Sequence, residues 1–312
     1  MNVEEVNFIG KMILDEVMEL LATVMRPEVA KDALKTYIEE SKDLPILATE
    51  DNSNLIAEQA DAFVDIYYYC LNAAAKKGVN LSAIFDVVHA ANMAKRDPKT
   101  GQFLKREDGK IIKPAGWQPP DVRKEIENQM ANGSWQQQDK RDAHHVREFT
   151  IGAGQGSPDV PSVMSEEEVK FITKMIVDEV LELFATVHDA TNAKNVLKGF
   201  VDASKDIPKI DAPEVDIIAE QADAFVDIYY YCLNAAAKKG VNLSAIFDVV
   251  HAANMAKRDP KTGQFLKRED GKIIKPAGWQ PPDVRAEIVR QQHNGSWPVD
   301  ECQSAQVTPV KA

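Results

Sequence analysis

Carboxylates recur at helical spacing in two places of the sequence. Glu16 and Glu19 are three residues apart, and Glu58, Asp61 and Asp65 follow one another at intervals of three and four. Residues at such intervals lie within about 60° of one another on a helix, so each group shares one face. If the two helices pack face to face, their carboxylates converge and repel one another unless a cation joins them. Such a set would suit Mg²⁺, which prefers oxygen ligands and keeps waters that a phosphate can replace.

The same spacing also fits acids that lie on a solvated helix face. The residues around the second group favour a site, because Glu58, Asp61 and Asp65 are embedded in the apolar stretch IAEQADAFVDIYYY. A helix that is apolar on most sides tends to be buried, and buried carboxylates need partners. Both acidic groups are needed for this interpretation, since a single ExxD pattern is a weak signal.

The acidic pattern occurs twice because the chain contains a duplication. Residues 56–123 recur unchanged as residues 218–285, and KMILDEVMELLATV from Lys11 aligns with KMIVDEVLELFATV from Lys174. This period is far longer than that of a solenoid repeat, which indicates two tandem domains. We predict one domain at 1–132, a polar linker at 133–164, a second domain at 165–297 and a disordered tail at 298–312.

The hydrophobic pattern predicts an all-α fold with four helices in each copy. Apolar residues recur at helical spacing from Val6 to Leu21, and a long helix is expected from about residue 51 to Gly78. After Lys95 the pattern changes to turns at DPKTG and EDGK, which predict a partly basic loop or small hairpin. PPDVRKEI then predicts a short helix that begins at its prolines.

Composition narrows the function class. The formal net charge is −12, which argues against nucleic-acid binding through a basic surface. No apolar run is long enough to span a membrane and no secretory signal is visible, so we expect a cytoplasmic protein.

Of the three cysteines, Cys70 and Cys232 are expected to be buried thiols, whereas Cys302 falls in the tail. His144 and His145 lie in the linker, where we expect a solvated pair rather than a metal site.

The motifs together resemble a known family. The order DEVME, EQAD about forty residues later, HAANMAKRD and LKREDGKIIKPAGWQPPD resembles the all-alpha NTP pyrophosphatases, which are the MazG-like and phosphoribosyl-ATP pyrophosphohydrolase-like proteins. The resemblance covers about 4–123 and 166–285. It implies two MazG-like domains that form a pseudo-dimer within the chain, with further pairing into a homodimer allowed. It also implies Mg²⁺-dependent, or Mn²⁺-dependent, hydrolysis of an NTP, a dNTP or a phosphoribosyl-ATP-like nucleotide to the monophosphate and pyrophosphate.

The same resemblance implies roles for individual residues in both copies. The leading glutamate of the family motif is aspartate here, at Asp15 and Asp178, which puts a role of that position in water positioning in doubt. The implied metal ligands are Glu16, Glu19, Glu58 and Asp61 in the first copy and Glu179, Glu182, Glu220 and Asp223 in the second. The implied catalytic residues are Asp15, Asp65, Asp178 and Asp227, with a role as additional metal ligands or as residues that contact the ligands left open for Asp65 and Asp227. The implied substrate contacts are Asn92, Lys95, Asn254 and Lys257. Lys110, Lys113, Lys272 and Lys275 lie in the late loop, from which they could reach the triphosphate oxygens.

Two other function classes stay open. A non-catalytic helical nucleotide-binding or scaffolding protein would also fit a duplicated chain, although both copies retain the same acidic set. A di-iron helical bundle is disfavoured, because such proteins use Glu-x-x-His pairs and none accompanies these acids. The lysines in the late loop are compatible with ordinary surface cations as well as with phosphate contacts.

Overall fold

The structure is a computed structural model, and it describes residues 1–106, 111–135, 141–268 and 273–297. The described residues form helices and three isolated antiparallel bridges, without an extended strand. The first copy forms α1 (Val3–Ala22), α2 (Pro27–Glu40), α3 (Asn52–Lys76), α4 (Leu81–Met93) and α5 (Val122–Asn132). The linker forms α6 (Asp142–Gly152), and the second copy forms α7 (Glu166–Ala185), α8 (Ala190–Ala203), α9 (Glu214–Lys238), α10 (Leu243–Met255) and α11 (Val284–Asn294). These helices confirm the all-α prediction.

Local signals in the sequence account for where the long helices begin and end. Asn2 starts α1 with a capping box to Glu5, and Asp51 accepts a hydrogen bond from the backbone of Ser53 to start α3. Gly78 and Gly240 follow α3 and α9 with φ of 74° and 72°, a conformation that residues with a Cβ rarely adopt. Helix capping therefore sets the lengths of the elements that carry the acids.

The two copies are intertwined around a central pair of helices. α3 and α9 pack against each other, and the rings of Tyr67 and Tyr229 stack at 4.3 Å between centroids. Cys70 and Cys232 are buried free thiols in these two helices, as predicted. The neighbours of each central helix come largely from the other copy, since α1, α4 and α5 pack on α9 while α7, α10 and α11 pack on α3. This arrangement confirms the intrachain pseudo-dimer.

The first and third helices of one copy do not meet. α1 and α3, both fully described, share no contact, so the predicted face-to-face packing within a copy is wrong. The connection between α2 and α3 explains why α1 and α3 are separated. It passes the end of the other copy's first helix, where the Leu47 amide donates to the Ala185 carbonyl at 2.8 Å. The equivalent connection in the second copy donates from Ile210 to the Ala22 carbonyl at 2.9 Å. Each chain crossing delivers the next helix to the opposite copy.

The linker is partly a structural element rather than a spacer. α6 packs against α3, and Val146 and Phe149 join the buried core. His144 and His145 are half-buried: the His144 ring lies 5.2 Å from the Trp135 ring and the His145 ring lies 5.3 Å from that of His251. The expectation of a solvated pair is therefore wrong, because the linker forms a helix whose face needs a partner. No other described helix takes the corresponding place beside α9.

An isolated antiparallel bridge follows α4 and α10, where a basic loop or small hairpin was predicted. Lys105 pairs with Ile111 in one copy and Lys267 with Ile273 in the other. The predicted disordered tail and Cys302 lie outside the described residues. Within the described parts of the chain, no helix combines the length and the apolar character needed to cross a bilayer.

Candidate active site

Two acidic clusters are present, and each combines residues from both copies. We call the first the open site: Glu16 and Glu19 from α1 with Glu220, Asp223 and Asp227 from α9. We call the second the walled site: Glu179 and Glu182 from α7 with Glu58, Asp61 and Asp65 from α3.

The grouping of metal residues by copy is therefore wrong. Glu16 and Glu19 do not share a site with Glu58 and Asp61, and Glu179 and Glu182 are likewise separated from Glu220 and Asp223. The residue types and their helix faces were predicted, but the chain crossing exchanges the long helices between the copies. The role of these acids as metal ligands stays a prediction.

Burial and mutual repulsion raise the pKa values of carboxyl groups in both clusters. Glu16 is 8% exposed, and burial first, then the charges of Asp227, Glu19 and Asp223, raises its pKa to about 9. Burial together with Asp227, Glu220 and Glu19 raises the pKa of Asp223 to about 7. These surroundings thus disfavour the ionised form of the carboxyls, and pKa values perturbed in this way are frequent at functional sites.

The walled site shows the same perturbation. Burial, followed by Asp61 and Glu182, raises the pKa of Asp65 to about 7, and burial with Glu58 and Glu182 raises that of Asp61 to about 6. Burial beside Asp65 also raises the pKa of Glu179. Two clusters from different helices therefore share one electrostatic character.

A tyrosine from the central helix orients the buried glutamate of each site. The Tyr231 hydroxyl donates to Glu16 Oε1 at 3.3 Å, and the Tyr69 hydroxyl donates to Glu179 Oε1 at 3.4 Å. These tyrosines were not among the predicted site residues. Their positions four residues after Asp65 and Asp227 place them on the same helix face as the acids, which is the signal that could have identified them.

The donor chemistry of each cluster fits a hard divalent cation. Within the described ranges, no three His, Cys, Asp or Glu side chains are grouped closely enough to enclose an ion as they stand. Each cluster nonetheless offers only carboxylate oxygens, the ligand type that Mg²⁺ prefers. The raised pKa values of Glu16 and Asp223 record a repulsion that a cation would relieve.

The leading aspartates lie beside the clusters and have other partners. Lys11 Nζ is 2.5 Å from Asp15 Oδ2, and the Ser41 hydroxyl donates to Asp178 Oδ1 at 2.5 Å. Both still act electrostatically on the sites, because Asp15 raises the pKa of Glu19 and Asp178 that of Glu182. Their predicted catalytic role stays a prediction.

Cationic side chains approach each site from the helix before the late loop. Lys95 Nζ donates to Asn92 Oδ1 at 2.6 Å and interacts electrostatically with Asp227, so both belong with the open site. Lys257 likewise donates to Asn254 at 2.6 Å and interacts with Asp65 of the walled site. These four residues were predicted as substrate contacts, and the structure places them beside the acids.

Tryptophans hold the lysines of the late loop close to these cations. Lys113 Nζ lies 4.2 Å from the centre of the Trp117 ring, and Lys95 lies 5.4 Å from the same ring. Lys275 and Lys257 are placed in the same way around Trp279. The tryptophans were not among the predicted site residues. The predicted contacts Lys110 and Lys272 lie outside the described residues.

A cavity of about 550 Å³ extends from the walled site. α3 forms its floor with Asp65 and Tyr68, whereas Phe171 of α7 and Phe149 of α6 form its sides. Lys257 stands at the acidic end, so the cavity connects the charged cluster with an aromatic space. Its size and mixed lining are typical of a small-molecule site.

The chain is similar in sequence to known proteins. The family model of phosphoribosyl-ATP pyrophosphohydrolase matches residues 2–92 and 146–254, which together make up more than half of the chain. A crystal structure from Exiguobacterium sp. 255-15, provisionally named an NTP pyrophosphohydrolase, is 28% identical, and the match covers 48% of this chain and 95% of that chain with a TM-score of 0.42. Among curated proteins, none matches this chain.

Proposed function

The chain belongs to the phosphoribosyl-ATP pyrophosphohydrolase family, and from that premise we propose that it hydrolyses a nucleoside triphosphate in the presence of Mg²⁺ or Mn²⁺. The substrate is an NTP, a dNTP or a phosphoribosyl-ATP-like nucleotide, and the products are the monophosphate and pyrophosphate. One observation carries the proposal: in both sites, carboxylates from two helices lie near an asparagine at the end of a third helix and a lysine just after it.

The acids of each cluster would hold the divalent ion. In the open site these are Glu16, Glu19, Glu220 and Asp223. In the walled site they are Glu179, Glu182, Glu58 and Asp61. When bound, Mg²⁺ would neutralise charge on the triphosphate and lower the pKa of a coordinated water. Without such a cation, a triphosphate would be repelled from either cluster.

The remaining side chains would bind the substrate and move a proton. Lys95 and Lys257 present ammonium groups that can pair with phosphate oxygens. Asp65 and Asp227 interact electrostatically both with these lysines and with the glutamates, so each can accept the proton of the attacking water. The water forms a bond to the α-phosphorus, the bond to the bridging oxygen breaks, and pyrophosphate leaves. Tyr69 and Tyr231 keep the buried glutamates oriented through their hydrogen bonds.

The test is a nucleotide panel with identification of the phosphate product. Wild-type protein is incubated with each NTP, each dNTP and phosphoribosyl-ATP, with Mg²⁺ and with EDTA. We expect pyrophosphate release that requires the cation and that is lost in the Glu58→Gln/Glu220→Gln variant, which alters both sites. Release of orthophosphate alone would indicate a different reaction. Nucleotide binding by calorimetry without any pyrophosphate release would instead support the non-catalytic binding function.

A further inference from the structure

The described residues of the linker line one of the two sites and not the other. Phe149 of α6 and Gln155 just after α6 line the cavity that begins at Asp65, so the linker forms one wall of the walled site. Beside α9, no described helix occupies the equivalent position. The two sites are therefore built from nearly the same residues, but they are enclosed differently.

Hydrogen bonds and ring contacts attach this wall to the site. Asn72 Nδ2 on α3 donates to Thr150 Oγ1 at 2.8 Å and to Gln155 Oε1 at 3.2 Å. The Phe149 ring lies 6.0 Å from the Tyr68 ring and 5.3 Å from the Phe265 ring, with edge-to-face geometry in both pairs. The wall is consequently part of the packed structure and has a defined position relative to Asp65.

The equivalent residues of the open site are more exposed, although their sequence is identical. Asn234 and Lys238 on α9 are exposed, whereas their counterparts Asn72 and Lys76 on α3 are half-buried. Burial lowers the pKa of Lys76. The end of the walled site that lies away from the acids is thus closed, whereas the same end of the open site is exposed.

An exposed aromatic residue lines the cavity opposite the linker. Phe171 on α7 is 62% exposed, and Phe8 at the repeat-equivalent position of α1 is 61% exposed. A large apolar side chain that stays this exposed beside a charged site is a candidate platform for a flat ring. In the walled site Phe171 faces a cavity that Phe149 also lines, whereas Phe8 has no linker aromatic across from it among the described residues.

We propose that the linker-walled cavity binds the nucleoside part of the substrate, so that the two sites of one chain bind the same nucleotide with different affinity. The inference rests on the proposed function for the position of the triphosphate at the acids. The base lies in the space lined by Phe171 and Phe149, and the amide of Gln155 donates a hydrogen bond to it. The open site holds the triphosphate in the same way but lacks the second aromatic wall and the amide.

The test separates the two sites by inactivating one at a time. Glu16→Gln leaves the walled site, and Glu179→Gln leaves the open site. We expect a KM about tenfold lower for the Glu16→Gln protein, because one stacked ring contributes roughly the free energy of a tenfold affinity change. Phe149→Ala and Gln155→Ala should each raise the KM of the Glu16→Gln protein several-fold and leave the KM of the Glu179→Gln protein unchanged. Ile151→Ala, on the exposed side of α6, is the matched control and should alter neither.

A second measurement does not depend on turnover. Calorimetry of the full chain with an α,β-imido nucleotide and Mg²⁺ should show two binding sites of unequal affinity, and Gln155→Ala should reduce the difference between the two affinities. Gln155 is exposed, so this variant tests the proposal even if Phe149→Ala disturbs folding. Equal KM values for the two single-site proteins, or equal effects of the linker variants on both, would overturn the inference. Absence of pyrophosphate release from every nucleotide would overturn the proposed function instead, while unequal binding sites would still support the role of the linker.

Discussion

The helices α3 and α9 have the same sequence from residues 56 and 218 onward, yet they lie in different surroundings. α6 covers α3, so Tyr68 and Leu71 are buried, whereas Tyr230 and Leu233 at the same repeat positions are only half-buried. His251 is half-buried, whereas its counterpart His89 is exposed. Burial lowers the pKa of His251 to about 4. Identical sequence therefore does not make identical sites, because the environment of a helix is supplied by whatever packs on it.

The largest expected effect is on pyrophosphate release, and it follows from the exchange of helices between the copies. Glu16→Gln combined with Asp223→Asn alters only the open site, so the walled site should continue to work and at least a large fraction of the activity should remain. Glu16→Gln combined with Asp61→Asn alters both sites and should lower pyrophosphate release by about 100-fold or more. Initial rates with Mg²⁺ measure both.

These two double variants form a matched pair, since each replaces one glutamate and one aspartate. If each copy instead built its own site, the results would be reversed. The Asp61 variant would then keep one site and the Asp223 variant would lose both, so a reversed pattern would refute the cross-copy assembly.

The next-largest expected effect is a loss of stability where α1 and α7 pack closely together. A Cβ at Gly10 would lie 2.3 Å from Cε2 of Phe184, whose ring is fully buried and cannot easily move aside. Gly10→Ala should therefore destabilise the protein by about 1–3 kcal/mol through overpacking. In the repeat, Thr173 is equivalent to Gly10, and Leu21 is equivalent to Phe184. The larger residue at the first position thus goes with the smaller residue at the second. Denaturant unfolding measures the loss.

Two further variants test the cause of that loss. Phe184→Leu in the Gly10→Ala protein should restore most of the stability, because leucine is the residue at the equivalent position in the first copy. Gly199→Ala, in a helix with nothing within 4 Å of the added Cβ, should be neutral or stabilising by up to about 1 kcal/mol. Similar destabilisation from both alanine variants would argue against the proposed contact.

The raised carboxyl pKa values predict how stability without divalent ions depends on pH. Unfolding returns Glu16 from a pKa of about 9 toward 4.5, and Asp65 from about 7 toward 3.8. Between these values the folded state binds more protons than the unfolded state, so stability falls as pH rises from about 5 to about 9. Thermal unfolding in EDTA should show a falling Tm over this range, and Mg²⁺ should restore the Tm most strongly at the alkaline end.

Two glutamine variants measure how much each site contributes to the change of Tm with pH. Glu16→Gln and Glu179→Gln should each reduce the fall in Tm with pH, because the amide carries no charge in either state. A Tm that stays constant or rises with pH in EDTA would contradict the electrostatic account of the clusters.

The smallest expected effect concerns one asparagine in two environments. Asn72→Ala removes the hydrogen bonds to Thr150 and Gln155 and should cost about 1 kcal/mol. Asn234→Ala changes the same residue in the same local sequence, but on an exposed surface, and should change stability by less than about 0.5 kcal/mol. Equal losses in denaturant unfolding would show that α6 does not stabilise α3 in the way that the structure indicates.

The helices of the two copies and the duplication follow from the amino-acid sequence alone, whereas α6 in the linker was not predicted. Periodic apolar residues, the Asp51 cap and the Gly78 stop are local signals, and a repeat of 68 identical residues is visible without any structure. The sequence also identified Glu16, Glu19, Glu58, Asp61 and Asp65 as chemically meaningful, because their spacing places them on defined helix faces.

Only the tertiary structure decided which acids share a site and which site the linker encloses. Either copy of the central helix presents the same face, so helical periodicity cannot tell whether α1 packs on α3 or on α9. The choice is made by the connections at Leu47 and Ile210, whose backbone hydrogen bonds carry the chain past the other copy. The asymmetry follows because a single linker has one apolar face and can cover only one of two equivalent helices.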